Sequence, residues 1–193
     1  MGNADKVATA ERNVRLLIAE ALEQNPSLYG VARREAPVWY LEAHKLAVSF
    51  ISPELNLAQA SGIVAAFSTN TTWAANVTLA KRLVAGNPAG LPDVLKKIAG
   101  IMALDNPSMA EVQLILNGLK LQCFADNIAH PTSSHRSTLD RWMYLAMGVP
   151  KTKSAELYGE YEDMFARLAV EYGFELPMHF QAFIWVLKRG KAY

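Results

Sequence analysis

The sequence predicts an all-α protein, and three observations carry that prediction. Apolar residues recur three and four positions apart along nearly the whole chain, no run of alternating β-branched residues marks a strand, and prolines, glycines and cap-forming residues divide the chain into helix-length pieces. About ten helices with short loops describe a compact multi-helix domain of two lobes with a central cleft, built from the whole of residues 1–193.

The elements follow in order. Val14, Leu17, Ile18 and Leu22 make one stripe of a first helix over Ala4 to Glu23, which Asn25-Pro26 stops. Pro37 is placed to open a second, carrying Trp39, Leu41, Leu46, Val48, Phe50 and Ile51 as far as Ser52-Pro53. Leu57 to Phe67 is almost wholly apolar and reads as a helix buried on most of its circumference, ended by the polar turn Ser68-Thr-Asn70-Thr71. Helices over Thr72 to Val84, Leu91 to Leu104 and Ser108 to Leu116 follow, and Gly118 marks a tight turn into another over Leu119 to Ile128. Ser137 is placed to start a helix over Thr138 to Met147, ended by Gly148-Val-Pro150. Ala155 to Tyr172 and His179 to Lys188 complete the chain, with the stretches 1–52 and 153–189 packing onto the middle as one domain.

Composition bounds the function. The chain has 193 residues, 51% of them hydrophobic, with 19 Lys+Arg against 18 Asp+Glu and a formal charge of +1. A chain this long buries enough surface to fold without a metal or disulfide. The single cysteine, Cys123, can complete neither an intramolecular disulfide, nor a thiolate zinc site, nor an iron–sulfur cluster, and suits a reducing, cytoplasmic setting. No stretch approaches the roughly 20 apolar residues of a membrane span, and the first fifteen residues are polar rather than a signal sequence. The near-zero charge disfavours a general polyanion coat. His130 and His135 flank a loop with no acid or cysteine at ligand spacing, so no metal site is expected.

Three segments, taken in order, carry a resemblance: Gly62-Ile-Val-Ala-Ala-Phe-Ser68-Thr-Asn70-Thr-Thr-Trp73-Ala-Ala-Asn76-Val-Thr-Leu-Ala80, then Leu116-Asn-Gly118-Leu-Lys120-Leu-Gln122-Cys-Phe124, then Ser137-Thr-Leu-Asp140-Arg-Trp142. Over residues 62–148 the chain resembles the helix-hairpin-helix DNA glycosylase superfamily, the endonuclease III-like proteins, in the small divergent form found in bacteriophages. The resemblance implies a DNA-acting protein with no cofactor, working in a bacterial host cell if phage-encoded; the single cysteine leaves it no iron–sulfur cluster. It puts Asn70 where the family inserts a polar side chain into the base stack, and Gly118 in the family's hairpin. Gln122 falls where bifunctional members have a lysine nucleophile, and Asp140, 18 residues later, where the family has its catalytic aspartate. Asn117 and Lys120 stand where the family hairpin has a proline and a second glycine, the residue type that lets a backbone approach a phosphate closely.

Cleaving or modifying a base requires the nucleotide to leave the stack and a carboxylate to stabilise the charge that develops on the sugar. Asp140 is the candidate; Ser137-x-x-Asp140 equally fits a helix cap, in which the acid accepts from free amides. With glutamine at position 122 no Schiff base forms there, which implies a monofunctional, water-using glycosylase. Lys120 is the competing catalytic candidate; it lies about 200° around a helix from Gln122, so the two face different ways. Trp73, Asn76, Asn127 and Gln181 are candidates for reading a base, and Arg136 and Arg141, which bracket Asp140, for holding DNA; each is also an ordinary core or surface position. Two other readings stay open: transfer of a group onto a modified thymine on the same scaffold, and a helical domain that binds DNA or protein without chemistry.

Overall fold

The structure, a computed structural model, describes residues 2–150 and 155–190. Among the described residues ten α-helices run in order: α1 (Asn3–Gln24), α2 (Pro26–Val48), α3 (Leu57–Phe67), α4 (Trp73–Val84), α5 (Pro92–Met102), α6 (Met109–Leu116), α7 (Leu119–Ala129), α8 (Arg141–Met147), α9 (Tyr158–Glu171) and α10 (Pro177–Arg189). A 3₁₀ turn, Ala155–Leu157, precedes α9. The described residues hold no β-strand; Ser52 and Leu55 merely exchange a pair of backbone hydrogen bonds that closes the turn after α2. None of these helices is long and apolar enough to cross a membrane. Residues 153 and 154, which the sequence assigns to the C-terminal helical stretch, lie outside the described residues.

The chain divides into two units, Met1–Tyr40 with Thr132–Tyr193, and Leu41–Pro131. The first is organised on α10, which packs against α1, α8 and α9. From Pro177 to Leu187 every residue of α10 except Trp185 is buried, as its apolar residues on all sides require. Phe165, Tyr172, Phe174 and Phe183 pack their rings around Phe180 at centroid distances of 5.6, 5.6, 5.7 and 6.1 Å.

The second unit is organised on α3, flanked by α4, α5, α6 and α7. Asn56 and Gln59 form a reciprocal cap at its start, and Gln59 Nε2 also donates to the carbonyls of Ile101 and Leu104 at the end of α5. Helices α6 and α7 form a hairpin whose turn is Asn117-Gly118. Gly118 sits at φ 114°, a backbone conformation that a Cβ would strain.

Helix α9 begins at Tyr158, after the 3₁₀ turn, rather than at Ala155, and α10 at Pro177 rather than His179; two further starts differ from expectation for a visible reason. Helix α2 begins at Pro26 and runs through Pro37. The lost N–H of Pro37 costs one helical bond, but Ala32, Ala36, Tyr40, Ala43 and Ala47 form one buried stripe across it, and packing of that face outweighs the local penalty. Helix α8 begins at Arg141, three residues later than predicted, and Asp140 rather than Ser137 is its N-cap. The amides that would have extended α8 backwards have side-chain partners on α9: Ser137 N donates to Glu162 Oε1 at 2.9 Å and Leu139 N to Tyr158 Oη at 3.0 Å.

Candidate functional site

In the first unit, residues 134–140 approach α8 as a loop pinned from several sides. Arg136 makes a two-toothed ion pair with Glu162, Nε to Oε1 at 2.9 Å and Nη2 to Oε2 at 3.1 Å. Tyr158 Oη donates to the Ser137 carbonyl at 2.9 Å while accepting from Leu139 N. Tyr40, buried on α2, hydrogen bonds Thr138 Oγ1 at 3.0 Å and donates to Gln181 Oε1 at 2.7 Å. These hydrogen bonds hold one loop geometry, although among the described residues the buried Ser137 Oγ has no hydrogen-bond partner.

Asp140 stands at the end of that loop, half-buried. Its Oδ1 accepts from Trp142 N at 2.8 Å and Met143 N at 3.1 Å, and its Oδ2 accepts from Trp185 Nε1 at 3.3 Å. The backbone donors come from the first turn of α8 and the indole from α10, so the carboxylate is oriented by two elements. Around it lies an aromatic and cationic surface. The Arg141 guanidinium is 4.9 Å from the Trp142 ring centroid, and that of Arg189 is 4.1 Å from Trp185 and 5.9 Å from Trp142. The Trp39 ring lies 6.0 Å from Trp185.

In the second unit the polar turn after α3 and the α6–α7 hairpin meet through Lys120. Its ammonium donates to Ser68 Oγ at 2.6 Å and lies 5.4 Å from the Phe124 ring centroid. Ser68 in turn donates to the Ala65 carbonyl at 2.6 Å. Asn70, two residues on, is exposed at φ 57°. Gln122 points elsewhere, exchanging side-chain-to-carbonyl hydrogen bonds with Gln113 across the hairpin, 3.0 Å out and 3.2 Å back. Lys120 and Gln122 thus face different ways, as two residues so spaced on one helix must.

A family model described as a family of unknown function, DUF7178, matches residues 29–192. The chain belongs to that family. No curated protein and no solved structure matches it. The DUF7178 match takes in the hairpin, Asp140 and all of α10, and leaves α1 outside it.

The other candidates are placed as follows. Asn76 is buried and ties α4 to α3 through Nδ2 to the Val64 carbonyl at 2.9 Å. Asn127 is wholly buried on α7, and Gln181 is buried as the acceptor of Tyr40. Trp73, half-buried, begins α4. Arg136 is committed to Glu162, whereas Arg141 is exposed. His130 does have an acid at hand, contrary to expectation: Asp126, one helical turn earlier, lies 3.1 Å from its Nδ1. Among the described residues no three His, Cys, Asp or Glu side chains gather as a metal ion would need.

Sequence reasoning passed over Tyr40 and Glu162 in this DUF7178 chain, and left Trp185 and the Lys188-Arg189 pair as ordinary core and surface positions. Trp185 carried a signal, since it follows Gln181 by one helical turn. Tyr40 and Glu162 lie 98 and 25 residues from their partners Thr138 and Ser137, and no local pattern links them.

Proposed function

We propose that this protein acts on a base in DNA as a monofunctional N-glycosylase, with Asp140 as its carboxylate. The observation that carries the reading is the bracing of Asp140: one oxygen held by two amides of α8, the other by the Trp185 indole. Three N–H donors favour the ionised form, and a fixed anion is what a sugar needs as it gains positive charge while its base departs. The place of Asp140, 18 residues after Gln122, agrees with the glycosylase-like order of motifs. Gln122 is occupied across the hairpin and Lys120 donates to Ser68, so the reading assigns the attack to water rather than to an amine. The Asn117-Gly118 turn and Asn70 supply the hairpin and the polar insertion that such a protein would use on DNA.

The test is to incubate the protein with DNA containing damaged or hypermodified bases and look by mass spectrometry for free base, abasic sites or added mass. Asp140→Asn is the decisive variant, because asparagine caps a helix about as well as aspartate and leaves the start of α8 intact while removing the charge. Release of free base that falls by about 10²–10³-fold in this variant supports the reading. Added mass on the base would redirect it to group transfer. DNA binding without product on any substrate, unchanged in Asp140→Asn, would leave a binding protein and overturn the chemistry.

A further inference from the structure

The arginines of the first unit differ in what holds them. Arg15 pairs with Glu11 and Glu171, Arg33 donates to the Tyr172 carbonyl, Arg136 pairs with Glu162, and Arg167 pairs with Glu11. Arg141 and Arg189 are held only by indole faces; among the described residues neither makes a hydrogen bond or ion pair. A guanidinium stacked on a ring keeps its five N–H donors in its own plane, where they can reach a planar or tetrahedral oxyanion two at a time. The two are also linked, since both lie over Trp142. Trp185, under Arg189, is the residue that donates to Asp140, and Arg141 is its chain neighbour. The Asp140 carboxylate accepts from N–H groups of Trp142 and Met143 at one oxygen and of Trp185 at the other, and neither arginine pairs with it.

Resting on the DNA-acting reading above, we infer that Arg141 and Arg189, stacked on Trp142 and Trp185, form a two-pronged clamp on the phosphodiester backbone beside the nucleotide offered to Asp140. The indoles set the direction of the forks and lower their hydration, so that phosphate contact costs less ordering than it would from freely moving side chains. The near-neutral chain thereby concentrates its grip at the reacting step instead of spreading it over a basic face.

The experiment is a salt titration of DNA binding by the full chain, read by anisotropy of a fluorescein-labelled oligonucleotide offered as duplex and as single strand. The variants are Arg141→Ala, Arg189→Ala, the double variant and Arg189→Lys, each checked by circular dichroism. Each phosphate contact removed flattens the slope of log K against log salt by about 1, so the double variant should lose about 2. Arg189→Lys should keep the slope but recover only part of the affinity, because a lysine carries the charge without the flat fork. A slope unchanged in the double variant, or no DNA binding by the wild-type chain, overturns the clamp. The two readings fail separately. Base release that depends on Asp140 while the double variant keeps its slope would sink the clamp alone; a flattened slope with no base product would sustain the clamp and sink the chemistry.

Discussion

Asp140 shows how one side chain serves two ends. Its capping bonds are those of any helix N-cap, and its contact with the Trp185 indole is not. Stability and charge placement therefore separate on substitution, which is why asparagine is the informative replacement. Tyr40 works at one remove. Its hydroxyl is shared between Thr138 and Gln181, where it is 2% exposed, so Tyr40→Phe leaves the buried Gln181 oxygen without that donor. We expect a loss of about 1–3 kcal/mol in unfolding free energy by urea denaturation; a change within error would show that the loop before α8 does not depend on this bond.

Among the elements, α3 decides the second unit. It is buried from Gln59 to Phe67, and at Gly62 it passes so close to its neighbours that a Cβ would stand 2.4 Å from Val112 Cγ1 and 3.2 Å from Ile101 Cδ1. Valine is short and stiff at χ1, so it cannot swing aside cheaply. Gly62→Ala should therefore destabilise the protein by about 1–3 kcal/mol, measured as a lower thermal midpoint. Gly159→Ala on α9, where a Cβ meets nothing within 4 Å, is the control and should be neutral or slightly stabilising. Equal effects at the two sites would refute the packing argument. The hairpin turn was legible in Asn117-Gly118, and α3 in its apolar run. The passage of α2 through Pro37 was not legible, because a local breaker was outweighed by the buried alanine stripe.

Across the chain, charge pairing sets the response to pH. Hydrogen bonds from Arg15 hold the carboxyls of Glu11 and Glu171 below the ordinary carboxylate range, with Arg167 adding to the effect on Glu11. The Ser108 backbone amide does the same for Glu111. A carboxyl depressed by folding adds stability above its unfolded value and loses it as pH falls towards the folded one. Burial pushes the Tyr161 phenol the other way, so its contribution is present below the ordinary phenol value and is lost as pH rises beyond it. We expect a denaturation midpoint that is level through neutral pH, falls as pH drops through and below the ordinary carboxylate range, and falls again in strong alkali. The Arg15 cluster lies at the surface, so added salt should shrink the acid limb. Arg15→Ala should flatten that limb further; an acid slope untouched by this substitution would remove the cluster as its cause.

Helical class and most helix limits were set by spacing along the chain, because helix periodicity, caps and breakers act over three or four residues; that local pattern marked Asp140 only as a helix cap, and the resemblance alone made it a group worth testing. The partners of that aspartate were set only by folding. Trp185 approaches it across 45 residues, Tyr40 reaches Thr138 across 98, and Arg189 meets Trp142 from a different helix. Contacts of that kind depend on which faces of distant helices come together, and a pattern read a few residues at a time holds no record of them.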